Sequence, residues 1–116
     1  MNRYLAIAFW CAAAFAFVMA VLPHPPAVPL NPSDKIQHMV AFATLAALGT
    51  LAYPRLRTLR LAIGLCAFGA FIEIVQLIPA LHRDADVKDW IADTLAVALT
   101  LVVVHVLVRL RRSPAE

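Results

Sequence analysis

Four apolar runs, at 4–22, 36–53, 61–80 and 90–108, leave this chain few ways to fold. A helix that crosses a hydrocarbon core of about 30 Å needs about 20 predominantly apolar residues. Lipid offers the backbone no hydrogen-bond partner, so such runs fold as helices, which satisfy their own N–H and C=O groups. The second run is the shortest and has polar residues near its start, so it draws on that flank to reach the interface. Composition agrees: 63% of the 116 residues are hydrophobic and 15% are charged. A soluble domain has about half and about a quarter. The expected fold class is all-α, a four-helix transmembrane bundle forming a single domain over residues 1–116. No repeat and no coiled-coil heptad is present. Arg3 followed by an apolar stretch also fits a secretory signal, but 4–22 is longer than a signal core of about 7–15 residues. The expectation is a retained first helix.

The connections set the orientation. Pro23, Pro25, Pro26, Pro29 and Pro32 exclude a helix from the first loop. A short turn at 53–58 and a charged loop at 81–89 join the remaining runs. Arg3, Arg55, Arg57, Arg60, Arg109, Arg111 and Arg112 fall on one side; Lys35, Arg83 and Lys88 fall on the other. That seven-to-three excess predicts cytoplasmic termini and outward-facing first and third loops. The basic residues lie in short clusters without aromatic interleaving, a topology signal and not a nucleic-acid surface. Cys11 and Cys66 both fall inside apolar runs without metal-ligand spacing and read as small packing residues.

Glu73 stands inside an apolar run, with Gln76 three residues later on the same face. An ionisable side chain at membrane depth is costly and by default faces protein or water at a working site. The run 61–80 puts Glu73 about two turns below the outer end of its helix. An ion pair with Arg83 or Lys35 is the structural alternative; a pocket role is preferred, because buried ion pairs are often cheap to replace with apolar residues. Asp34 and His38 are four apart and share a face. Asp34 reads first as a helix cap, with Gln37 completing a capping box. For His38, a packing role and a pocket role stand equal. Asp86 and Asp89 suit the first turn of the fourth helix, where acids complement the helix dipole. Capping does not explain Asp93, one turn further in. Trp90 reads as an interfacial anchor. His24, His82 and His105 read as non-functional, and Asp84 and Lys88 as solvated.

Three pieces in register give these residues a family look: Asp34-Lys35-x-x-His38 with Phe42 following, Gly69-x-x-x-Glu73-x-x-Gln76, and Arg83-x-x-Asp86-x-x-Asp89. The chain resembles the VanZ-like family of small bacterial membrane proteins over roughly residues 30–100. It departs from the family at Asp93, where an asparagine is usual, and at Ala96, where a glycine is common; alanine still permits close helix packing. The resemblance implies a multi-pass protein of the bacterial cytoplasmic membrane with a cell-envelope role. The family takes its name from a protein associated with resistance to teicoplanin, a lipoglycopeptide. No biochemical activity follows from the resemblance.

Three functions compete. In the first, a pocket of Asp34, Lys35, His38, Glu73, Gln76, Arg83, Asp86, Asp89 and Asp93 binds a lipid-linked or amphiphilic molecule in the outer leaflet. Lys35 and Arg83 meet an anionic head group, and His38, Glu73 and Gln76 orient it. In the second, the chain is an enzyme on a lipid-linked envelope substrate, with His38 or Glu73 as general base and Asp89 or Asp34 orienting it. No serine or cysteine nucleophile accompanies these groups. A histidine with carboxylates suits Mg²⁺, Mn²⁺ or Zn²⁺, though no strong zinc spacing is present. In the third, the polar cluster only sets helix register. The first is the preferred expectation and the enzyme the alternative. Membrane lipids are the expected surroundings in each. A carrier or channel is disfavoured, because four short helices leave little room for a transport path.

Overall fold

A computed structural model describes residues 1–22, 34–81 and 86–112, with only the backbone of Asp34, Leu81 and Arg112. The described chain forms four helices: α1 (Arg3–Val21), α2 (Asp34–Ala52), α3 (Thr58–Gln76) and α4 (Val87–Arg112). A single 3₁₀ turn, Pro79–Leu81, follows α3.

Local chemistry accounts for the ends. Asn2 caps α1, its side-chain oxygen accepting from the Tyr4 and Leu5 N–H groups at 3.1 Å each. Its own N–H donates to the Ala52 carbonyl, tying the start of α1 to the end of α2. The α2 helix stops at Ala52 because Tyr53 precedes Pro54, and a residue before proline is pushed out of the helical region. The α3 helix stops at Gln76, short of the expected Ala80, and the same rule explains the difference. Pro79 cannot continue the helix, so the N–H groups of Leu77 and Ile78 close tighter turns onto Ile74 and Val75. Glu73 therefore stands in the last turn of α3, nearer the helix end than the sequence implied. Asp86 caps α4, its side chain accepting from the Lys88 N–H at 2.9 Å.

Interhelical bonds give the topology. The Gln76 amide donates to the Ala20 carbonyl, joining the ends of α3 and α1. At the opposite end, Thr58 at the start of α3 meets His105 near the end of α4. Lys35 meets Asp89 and, deeper in both helices, His38 meets Asp93, so α2 and α4 run parallel. The bundle is up-down-up-down. Arg3, Arg55, Arg57, Arg60, Arg109 and Arg111 gather at one end, and Glu73, Asp86, Asp89 and Asp93 lie toward the other.

The packing is that of a membrane protein. Helices α1, α3 and α4 are long and apolar enough to cross a membrane. Phe15, Ile63, Phe71, Leu95 and Leu99 are each more than half exposed. So much exposed apolar surface is a liability in water and ordinary against lipid. The α2 helix matches α1 and α3 in length but begins with Lys35, Gln37 and His38. It packs against all three other helices, so less of it must be apolar. The most buried large side chains are Phe42, Leu45, Ile72 and Val97, drawn from α2, α3 and α4.

Gly69 sets the spacing among those three helices. A Cβ placed there would lie 3.3 Å from the Trp90 ring and 3.4 Å from the Phe42 ring. Gly64, on the same helix, faces open space. Gly69→Leu is predicted to overpack this contact, at a cost of about 1–3 kcal/mol. A clearly lowered thermal unfolding midpoint in detergent, with Gly64→Ala unchanged or slightly raised, is the expected result. Equal midpoints for Gly69→Leu and wild type would show that the three helices do not approach this closely.

Candidate functional site

At the acidic end of the bundle, His38 from α2, Glu73 from α3 and Asp93 from α4 converge. Each offers one donor atom, and the three atoms lie within 4.8 Å of one another. Asp93 is 3% exposed, and His38 and Glu73 are partly buried. His38 Nδ1 lies 3.6 Å from Asp93 Oδ2, close enough for charge attraction and too long for a hydrogen bond. Glu73 uses Oε2 to accept from the Asp86 backbone N–H at 2.9 Å, which points the carboxylate toward the start of α4.

Three atoms of this cluster, His38 Nδ1, Glu73 Oε1 and Asp93 Oδ1, are buried without a hydrogen-bond partner among the described residues. No other buried side-chain nitrogen or oxygen among the described residues shares that condition. Other polar groups in the helices find partners at hand. Thr44, Thr50 and Thr94 donate to carbonyls one turn back, at 2.8–2.9 Å. The Trp10 indole donates to the Tyr53 hydroxyl at 2.9 Å. An unpartnered polar group in an apolar interior costs several kcal/mol. Two ionised carboxylates within 4.8 Å repel by about 3 kcal/mol or more at an effective dielectric of about 20. The cluster is thus suited to receive positive charge or hydrogen-bond donors.

The remaining sequence-predicted residues divide. Lys35 lies toward the helix ends from the cluster and approaches Asp89 at 3.8 Å; it does not pair with Glu73. Asp86 acts through its backbone N–H on Glu73 and through its side chain as the α4 cap. Gln76 is buried, and its amide donates to the Ala20 carbonyl, one of the α1 C-terminal acceptors that lack a helical partner. The Asp34 side chain and Arg83 lie outside the described residues.

Trp90, expected at the interface, instead turns inward. Its indole N–H donates to the Cys66 carbonyl at 3.0 Å, and its ring lies over Gly69. The four-residue spacings of Gly69 to Glu73 and of Phe42 to His38 separate this aromatic contact from the polar cluster by one turn along α3 and α2, while on α4 Trp90 precedes Asp93 by three residues. His105 has a structural partner in Thr58, at 2.7 Å. Its late position in α4 and the early position of Thr58 in α3 are the only sequence signal for that contact. Cys11 is exposed on α1 and Cys66 partly buried on α3, and both are free thiols. Compared with known proteins, the chain matches no family model, no curated protein and no solved structure.

Gln76→Leu leaves the Ala20 carbonyl without its side-chain donor. The predicted loss is about 1–3 kcal/mol, read as a lower unfolding midpoint in detergent. An unchanged midpoint would show that this bond does not hold α3 to α1.

Proposed function

We propose that this chain is a VanZ-like, multi-pass protein of the bacterial cytoplasmic membrane, with its acidic end facing outward. Its polar pocket binds the head group of a lipid-linked or amphiphilic envelope molecule, and its activity is linked to lipoglycopeptide (teicoplanin) resistance. The observation that carries the reading is the set of three buried, unpartnered atoms on His38, Glu73 and Asp93. Such atoms await a partner from outside the described chain. The orientation rests on the arginine-rich opposite end, which the positive-inside rule assigns to the cytoplasm. Lys35, about half exposed beside the cluster, supplies a cation for an anionic head group. The family assignment rests on the three motif pieces and their spacing.

A second reading is an enzyme acting on a lipid-linked substrate. The observation favouring it is an imidazole nitrogen and two carboxylate oxygens within 4.8 Å, a set suited to proton transfer or metal assistance.

The test is teicoplanin susceptibility of a sensitive host expressing wild type or Glu73→Gln at matched membrane levels. The amide keeps an oxygen for the Asp86 N–H but removes the carboxylate charge. Wild type is expected to raise the inhibitory concentration several-fold and Glu73→Gln to leave it at the vector level. Equal protection by both would remove Glu73 from the function, and protection by neither would end the teicoplanin link.

A further inference from the structure

The polar cluster has a more specific chemistry than a general head-group pocket. We propose that His38, Glu73 and Asp93 form a binding site for one divalent transition-metal ion, with Zn²⁺ as the fitting ion. The site uses the side chains of the proposed ligand pocket but does not depend on that pocket's ligand or on any antibiotic.

Four observations carry the proposal. The donors are one imidazole nitrogen and two carboxylate oxygens, all within 4.8 Å of one another. Two carboxylates neutralise a dication, and the nitrogen favours a transition metal over Mg²⁺ or Ca²⁺, which take oxygen ligands. Each of the three side chains keeps one buried atom without a partner: Nδ1 of His38, Oε1 of Glu73 and Oδ1 of Asp93. The Asp93 atom belongs to a residue that is 3% exposed, so water does not serve it from the surface. The ligands come from three different helices, so the scaffold and not a loop sets their spacing.

The outer contacts fit the same account. The Asp86 N–H holds Glu73 by Oε2 and leaves Oε1 as the unpartnered oxygen, a supporting bond of the kind that orients metal ligands. Lys35 is drawn to Asp89 instead of to the cluster. An internal His38–Asp93 ion pair is the competing explanation. At 3.6 Å it leaves both His38 Nδ1 and one Asp93 oxygen without a hydrogen bond. Tetrahedral coordination at about 2.1 Å places donor atoms about 3.4 Å apart. Donor atoms that lie within 4.8 Å of one another draw closer together when the ion binds. Three protein ligands leave a coordination position for water or for an oxygen of a bound ligand, the arrangement of reactive metal sites.

The test uses the full chain, with any affinity tag removed, purified in detergent, stripped with chelator and re-equilibrated with Zn²⁺. Metal content by mass spectrometry and a chelator-competition titration are the readouts. The expected result is about one Zn²⁺ per chain, with affinity falling about tenfold or more in His38→Ala, Glu73→Gln and Asp93→Asn. The double variants His24→Ala/His82→Ala and Cys11→Ser/Cys66→Ser should bind as wild type does. Zn K-edge absorption on the wild-type protein reads the same site without any variant, so a misfolded substitution leaves the proposal testable. It should show one imidazole nitrogen with oxygen ligands and no sulfur. Substoichiometric metal, sulfur in the shell, or affinity lost only in the His24/His82 variant would overturn the proposal. None of these results depends on teicoplanin protection, so the metal site and the proposed function can fail separately.

Discussion

The close approach of α2, α3 and α4 around Gly69 is the contact on which the rest of the structure depends. With no Cβ at Gly69, the rings of Phe42 and Trp90 both reach the α3 backbone. Trp90 then anchors itself by an indole bond to the Cys66 carbonyl. In lipid, helices gain little from burying apolar surface against one another, so close packing and interhelical hydrogen bonds must hold them. This contact supplies both. Next to it, the same three helices bring His38, Glu73 and Asp93 together. The polar cluster adjoins this aromatic contact on the same three helices, so its geometry depends on how closely they pack there.

Most polar side chains in the described helices have structural tasks. Gln76 fastens α3 to α1, Asp86 caps α4, and His105 joins Thr58 at the opposite end. Three threonine hydroxyls turn back onto their own helices. These assignments isolate His38, Glu73 and Asp93 as the place where, among the described residues, buried side-chain polar atoms lack partners. Polar satisfaction elsewhere is therefore an argument about function. Among the described residues the scaffold satisfies its other buried side-chain polar atoms, which sets these three apart. The proposed polar ligand, or the proposed metal ion, would supply their partners.

Much of this was legible in the sequence, for physical reasons. Apolar runs of spanning length mark helices whatever their neighbours are, and all four appear. Glu73 announces itself because a carboxylate within an apolar run is costly. Asp93, which capping left unexplained, is the most buried acid of the cluster. Other features were illegible because they depend on three-dimensional pairing. The run 61–80 stays apolar past the true end of α3, so hydropathy alone places Glu73 too deep; Pro79 carried the correct signal. Gln76 looks like a pocket residue beside Glu73 until the Ala20 carbonyl is seen next to it. Trp90 near a helix start fits an interfacial anchor equally well, and only the neighbouring α3 backbone turns it inward.

The central claim is that three side chains from three helices form one site. The most direct measurement is the ¹⁵N resonance of the His38 ring in the full-length protein in micelles, assigned by its loss in His38→Ala. The account predicts that Glu73→Gln and Asp93→Asn each shift the His38 ring nitrogens, while Thr58→Val shifts those of His105 and leaves His38 unmoved. His38 resonances indifferent to both Glu73→Gln and Asp93→Asn would contradict it.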